Sequence, residues 1–331
     1  MTRADATQDR PLVAVVGTTL PTDLTIEREL LRQAGAEIVD GRDLQRRDAA
    51  QLLSTATGVL SEGFFDFDFS AMTRCRALSL YSTGFDQVDL PAATNAGIAV
   101  TNVPEYCTDD VADHALALLL ATWRKLRAAS GIAESGDWAL HSLTPIHRLA
   151  GSTLGLIGFG AIARAVARRA TAFGMRVVAY DAYLEPTAGQ ALGVEFLALS
   201  QVLVESDAIS IHVPLTEQTA GLLGEAELGL LRNGAVIVST SRGGIVREEA
   251  LLAALDSGQL GGAGLDVLVA EPPSSPASCR LAMHERVVCT PHMGYYSEQA
   301  LADLRRGAAG SLAAILSGGR PSTLLNPAVL R

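Results

Sequence analysis

The sequence predicts an α/β protein of two domains, each built on a parallel sheet. Three observations carry this reading. The stretch 153–181, TLGLIGFGAIARAVARRATAFGMRVVAYD, reads as strand, glycine turn, helix, strand and terminal carboxylate. On both sides of it, short apolar runs of strand length alternate with amphipathic segments of helix length, the rhythm of strands joined by crossover helices. The third is length: 331 residues are more than one compact core usually holds.

Taken in order, residues 11–103 form the smaller unit. Strands are expected at 12–16, 37–39, 58–60, 78–80 and 99–101, with helices at 26–33 and 44–55. The run 64–69 alternates aromatic and acidic residues and reads as an edge or loop packing its rings inward, with a substrate mouth as the alternative. Residues 81–89, YSTGFDQVD, follow a strand and carry a glycine turn. There the backbone N–H groups of Tyr81, Ser82, Thr83 and Gly84 can be aimed at a carboxylate, although a plain β-to-α connection has the same pattern. Val103-Pro104 is a stiff extended dipeptide and a natural boundary. Beyond it Thr108 is placed to cap one long apolar helix, 109–129, whose positive end Asp109, Asp110 and Asp113 would complement. A polar stretch, 130–150, leads into the glycine segment.

Within that segment, residues 154–157 suit a strand buried on both faces. Gly158 permits the tight turn, Gly160 lets backbone approach a pyrophosphate at the next helix N-terminus, and Ala163 stands at the close-packing position. The helix, 161–173, places Ile162, Val166, Ala170 and Phe173 on one side, and Gly174 ends it. The strand 176–180 then delivers Asp181, where a carboxylate accepts hydrogen bonds from ribose hydroxyls and repels a 2′-phosphate. The expected cofactor is NAD rather than NADP. Further strands follow at 194–196, 208–212, 235–239, 262–265 and 287–290, then a helix at 297–316 and a tail at 321–331.

Composition narrows the partners. Lys and Arg number 26 against 36 Asp and Glu, and no basic block is present, so nucleic acid is not expected. The start, MTRADATQDR, lacks the apolar core of a secretion signal, and the apolar run 115–121 is too short to span a bilayer, so no membrane is expected. Cys75, Cys107, Cys279 and Cys289 form no C-x-x-C pair; they read as buried small hydrophobes in a reduced, cytoplasmic setting, and no metal is called for.

The chemistry is expected from Arg242, Glu271 and His292, which lie far apart in sequence but at carboxyl ends of predicted strands, where open parallel sheets bind ligands. An Arg can grip a carboxylate bidentately, a His exchanges a proton near neutral pH, and a Glu can orient and hold an imidazolium. Each alone also reads as an ordinary surface or loop residue.

TLGLIGFGAIA with YD, HVPLTEQT, STSRGGIVREEAL, GAGLDVLVAEPP and TPHMGYYSEQA together resemble the consecutive signatures of the D-isomer-specific 2-hydroxyacid dehydrogenases. STGFDQVD and GIAVTNVPEYCTDDVADHALALLL extend the resemblance over nearly the whole chain, most similar to the branch of C-terminal binding proteins and phosphoglycerate dehydrogenase. It implies that Arg242, Glu271 and His292 form the catalytic trio acting between a 2-keto acid and a 2-hydroxy acid. It also implies two Rossmann-like domains: a substrate domain of residues 1–103 and 295–331, and an inserted NAD domain of residues 104–294. The hinges would lie near Val103-Pro104 and Gly294, with the active site in the cleft and a homodimer formed through the coenzyme domain. By the same resemblance Gly158, Gly160, Ala161, Ile162, Asp181, His212, Pro214, Thr219, Thr240, Ser241, Asp266, His292 and Gly294 line the cofactor site, and Tyr295 joins the substrate residues. Three departures stand out: Ala161 replaces the usual Arg, Ala163 the usual third Gly, and Leu80 and Tyr295 replace an Arg and a Trp of the C-terminal-binding branch. Two rival readings stand beside this one: the same trio acting on a phosphonate or phosphite, and, as the C-terminal-binding resemblance permits, an NAD(H)-sensing interaction protein.

Overall fold

The computed structural model describes residues 10–20, 23–63 and 65–330. The first nine residues of the polar N-terminal run, Phe64 of the aromatic run and Arg331 of the tail lie outside them. The chain divides into two compact units, crossing between them at Cys107/Thr108 and again at Tyr296/Ser297, a few residues beyond the expected boundaries.

Unit 1 begins with β1 (Leu12–Val15), α1 (Thr25–Gln33), β2 (Glu37–Asp40), α2 (Arg46–Thr55), β3 (Gly58–Ser61), β4 (Ala77–Leu80), α3 (Leu90–Asn95) and β5 (Ala99–Thr101). Unit 2 follows with α4 (Thr108–Trp123), α5 (Leu126–Ser135), β6 (Thr153–Ile157), α6 (Ala161–Ala172), β7 (Arg176–Tyr180), β8 (Glu195–Phe196), α7 (Leu199–Glu205) and β9 (Ala208–Ile211). It continues with α8 (Glu225–Gly229), β10 (Ala235–Ser239), α9 (Glu248–Asp256), β11 (Leu260–Leu265), α10 (Pro276–Met283) and β12 (Val287–Cys289), and α11 (Glu298–Leu316) returns the chain to unit 1.

In unit 1 the strands pair in parallel in the order β2-β1-β3-β4-β5. Val13, Ala14, Val15, Val59, Leu60, Leu78 and Leu80 are fully buried, as strands covered by helices on both faces require. In unit 2 the order is β12-β11-β10-β9-β6-β7-β8, again parallel throughout, and the connection reverses direction between β6 and β9. Open α/β sheets bind ligands at the carboxyl side of such a switch point.

Several expectations change. The helix expected over 109–129 is two helices, because Lys125 takes a left-handed backbone (φ 53°) between α4 and α5. Thr108 opens α4 rather than preceding it, and the polar stretch 130–150 contains the second half of α5. Asp109 and Asp113 both pair with Arg169 of α6, at 2.9 and 2.5 Å, so they tie two helices together as well as facing a helix end. Phe173, placed on the buried side of α6, is 46% exposed. The short α3 was not foreseen. The expected tail is docked: Leu325 donates its N–H to Val100, while the Asn326 side chain accepts from Val100 N–H at 2.8 Å and donates to the Ile98 carbonyl at 2.9 Å. Phe65 lies tilted against Phe67, which stacks on Phe69, and the three rings pack in the core of unit 1. Of the cysteines, Cys75 and Cys107 are buried but Cys279 is exposed, so not all behave as core hydrophobes. Among the described residues no helix is long and apolar enough to cross a membrane.

Candidate active site

At the end of β6, Gly158 has φ 91°, a conformation open to glycine at little cost, and a Cβ there would lie 3.0 Å from the His212 backbone. The turn is held by Gly158 N–H to the Tyr180 carbonyl (2.8 Å) and by Phe159 N–H to Asp181 Oδ2 (2.9 Å). Asp181 Oδ1 accepts from Tyr183 and Leu184 N–H. Three of a carboxylate's roughly four acceptor positions are thus used, and about one remains. A Cβ on Gly160 would meet open space, Ala161 is exposed beside it, Ile162 is partly buried against the core, and Ala163 is fully buried at the packing position.

On the neighbouring strand end, His212 donates its N–H to Ile157 and shares a 2.9 Å hydrogen bond with Ser210 through Nε2. Burial pushes its imidazole down to about 4, so it is neutral at physiological pH. The hydroxyl of Thr219 donates to the Pro214 carbonyl (2.6 Å) and accepts from Thr216 N–H, closing the loop between them. After β10, Ser241 donates to the Ile211 carbonyl (2.7 Å). The buried Thr240 Oγ1 has no hydrogen-bond partner among the described residues. A buried hydroxyl left unsatisfied, together with the open space over Gly160, fits a dinucleotide along this edge of the sheet.

β10, β11 and β12 are consecutive in the sheet, and their carboxyl ends carry the expected trio. His292 Nδ1 and Glu271 Oε2 are 2.6 Å apart, and Glu271 Oε1 accepts from Leu268 N–H at 2.9 Å. Burial alone would raise the Glu271 carboxyl, but its bonds from His292 and Leu268 outweigh that and hold it below the ordinary value. The pair remains accessible, with side chains 40% and 37% exposed. Arg242 donates through Nη1 to the Ser241 carbonyl (2.9 Å). The next residue, Gly243, lies so close to the loop carrying Glu271 that a Cβ would sit 2.1 Å from the Leu268 carbonyl carbon. Glycine is required there.

His292 itself has φ 52°, unusual for a side-chain-bearing residue. Its N–H reaches the carbonyls of Asp266 (2.9 Å) and Thr290 (3.0 Å). The Asp266 side chain, expected to line the cofactor site, is 2% exposed and bonded into this loop. It accepts from Thr290 Oγ1 (2.6 Å), Met293 N–H (2.9 Å) and Gly294 N–H (2.8 Å), with His114 Nε2 at 3.3 Å. Burial works against its charge, but those donors keep the carboxyl below its ordinary value. The Thr290 hydroxyl gives its proton to Asp266, so His114 Nε2, 2.9 Å away, is the donor to Thr290. His114 and Thr290 were missed from sequence: one sits inside an apolar helix pattern and the other at a strand end, and neither position signals a shared carboxylate.

The substrate residues expected in unit 1 divide. Tyr81 is a correction: its ring is 4% exposed, its N–H bonds the Ser61 carbonyl and its hydroxyl donates to Glu27, so it serves the core. Ser82 Oγ donates to the Gly84 carbonyl and Thr83 Oγ1 to Val103. Leu80, where the C-terminal-binding branch carries Arg, is fully buried. In unit 2, Tyr295 lies edge-on to Tyr296, centroids 6.4 Å apart.

Residues 116–294 match the family described as D-isomer specific 2-hydroxyacid dehydrogenase, NAD binding domain. The glyoxylate reductase of Thermococcus gammatolerans is 39% identical over 311 residues, 92% of this chain and 89% of that protein. Among solved structures, the TT0316 protein from Thermus thermophilus superposes with a TM-score of 0.83 at 35% identity, covering 95% of this chain and 99% of that one. The D-lactate dehydrogenase from Aquifex aeolicus, complexed with NAD and lactic acid, gives 0.85 at 26% identity, again over 95% and 99%. The chain belongs to the D-isomer-specific 2-hydroxyacid dehydrogenase family, as an NAD-dependent oxidoreductase.

Proposed function

We propose that the enzyme reduces a small 2-keto acid to the D-2-hydroxy acid, and runs the reverse, with His292 as acid and base, Glu271 as its orienting partner and Arg242 as the carboxylate grip. The observation that carries this is the 2.6 Å contact between Glu271 and His292. A carboxylate on Nδ1 orients the ring and leaves Nε2–H to protonate a substrate oxygen. When bound, NADH supplies the hydride. Arg242 offers a planar fork of donors that matches a carboxylate and polarises the adjacent carbonyl. Ser82, Thr83 and Gly84 would meet substrate through backbone N–H groups, and Tyr295 through its ring. The glycine turn with Ala161 and Ile162, Asp181, Thr240 and the loops at His212, Pro214 and Ser241 would hold NAD, with Thr219, Asp266 and Gly294 shaping those loops. Unit 1 would be the substrate domain and unit 2 the NAD domain.

The accompanying homodimer is supported by α5, none of whose residues is buried, and by Trp138 and Leu140 beside it, 79% and 69% exposed. A cytoplasmic setting is supported by four free cysteines. The test is a panel of 2-keto acids with NADH followed at the nicotinamide absorbance. Glyoxylate, the acid named for the Thermococcus relative, heads the panel. Turnover of a keto acid is expected. Turnover of a phosphonate or phosphite alone, or NADH binding without any turnover, would replace this reading with one of its rivals.

A further inference from the structure

Beneath the Glu271–His292 pair lies a carboxylate that takes no part in the reading above. Glu248, in the first turn of α9, is 6% exposed, and among the described residues no cation pairs with it. Its two oxygens are divided between two other segments. Oε1 accepts from Val269 N–H at 2.9 Å, and Oε2 accepts from the Ser278 hydroxyl at 2.6 Å. Ser278 is fixed in turn by Ser275, the N-cap of α10, through contacts of 2.9 and 3.0 Å. Burying an unpaired carboxylate is costly, and a neutral acceptor would satisfy one N–H at lower cost. A carboxylate does something more here. It ties the start of α9, the loop after β11 and the start of α10 to one point.

That loop is the one that presents Glu271. Leu268 N–H bonds Glu271 Oε1, the next N–H along is the one Glu248 holds, and Gly243, adjacent to Arg242, is pressed against the same two residues. We infer that Glu248 is a positioning residue: by clamping Val269 it fixes the loop on which Glu271 meets His292 and against which the Arg242 segment rests. This rests on the assignment of Glu271 and His292 given above. Asp266 is the other ionised group that bears on Glu271, and the substitutions below leave it in place.

The test is a double-mutant cycle in the purified enzyme, reading the pH profile of keto-acid reduction with NADH and with its deuterated form, so that hydride transfer is known to limit kcat. Glu248→Ala should lower kcat on the order of 10²-fold, the scale of a small misplacement of catalytic groups, while the Kd for NADH stays near wild type. It should move the pH profile in the same direction as Glu271→Gln does. In the Glu271→Gln background the same Ala substitution should cost little more, because the partner it positions has already lost its charge. Glu248→Gln, which keeps an acceptor for Val269 N–H, should restore most of the activity. Should Glu248→Ala not fold, Ser278→Ala removes one arm of the clamp and should give a smaller shift of the same sign. A wild-type kcat and pH profile in the Ala variant, or an equal loss in both backgrounds, overturns the inference. If Glu271→Gln itself overlays wild type with the isotope effect fully expressed, the Glu–His assignment falls and this inference with it.

Discussion

The two units are variants of one architecture, parallel sheets wound with helices, yet they use their buried charge differently. In unit 2 the carboxylates gather at the carboxyl edge of the sheet. Asp266 and Glu248, both buried, and the accessible Glu271 each hold backbone N–H groups of the loops there, and among the described residues the cation-forming side chain bonded to Glu271 is His292. In unit 1 the buried charge is an ion pair, whose arginine also reaches the exposed Asp23 at 3.3 Å. Arg305 of α11 grips Glu27 of α1 at 2.8 and 2.7 Å, Tyr81 donates to the same carboxylate, and the two charged side chains are 10% and 1% exposed. Charge in unit 1 secures one helix against another, whereas charge in unit 2 shapes the loops around the Glu271–His292 pair. Similar sheets can therefore fail in different ways: unit 2 by losing rate, unit 1 by losing stability.

The sharpest way to break this comparison is His292→Gln. It should cut kcat by about 10²–10⁴, the usual contribution of a general acid, with the Kd for NADH and the urea midpoint unchanged. A lowered midpoint would mean that the pair is structural. The counterpart in unit 1 is Arg305→Met, which leaves Glu27 buried and unpaired and should cost about 3–5 kcal/mol in urea unfolding, with kcat of the folded fraction retained. An undiminished midpoint would refute the role given to that pair. Arg242→Lys should lose on the order of 10²-fold in kcat/KM, because an ammonium offers a point charge in place of a fork. Near wild-type kcat/KM would assign the carboxylate to another group. Asp181→Ala should narrow the preference for NADH over NADPH by roughly tenfold, the value of one charged hydrogen bond, and an unchanged ratio would mean that the carboxylate serves only the turn.

A last effect, on stability alone, concerns His212. Its folded value of about 4 lies below the ordinary 6.5, so the unfolded chain binds the extra proton between these values. Stability should be complete above 6.5 and decline as pH falls towards 4, and His212→Gln should flatten that decline. Parallel Tm-against-pH curves would refute the assignment.

The sequence placed the glycine turn, Asp181 and Arg242, Glu271 and His292 at strand ends, where the structure has them, because these positions are defined by local spacing. Position within a strand-helix-strand unit is a local property. What escaped was set by tertiary contact. The break at Lys125 leaves no Gly or Pro to mark it; the chain turns through a left-handed residue there. Tyr81 looked like a loop residue facing a ligand but turns inward because Glu27 and Arg305, distant in sequence, need a hydroxyl between elements. Nor does any periodicity predict what Glu248 and Asp266 hold, which is backbone N–H groups on neighbouring loops.

The return of α11 to unit 1 sets an order on synthesis. This helix packs on α1, β3, β4 and β5, and its Leu301, Leu304, Ala308 and Leu312 are buried. A ribosome must complete the whole of unit 2 before those side chains emerge, which at about 5–20 residues per second is a wait on the order of ten seconds or more. Through that interval the nascent first sheet lacks one of its covers, and Glu27 lacks its arginine. Between Cys107 and Ser297 the first unit is therefore without its closing helix, and unit 2 is free to fold first.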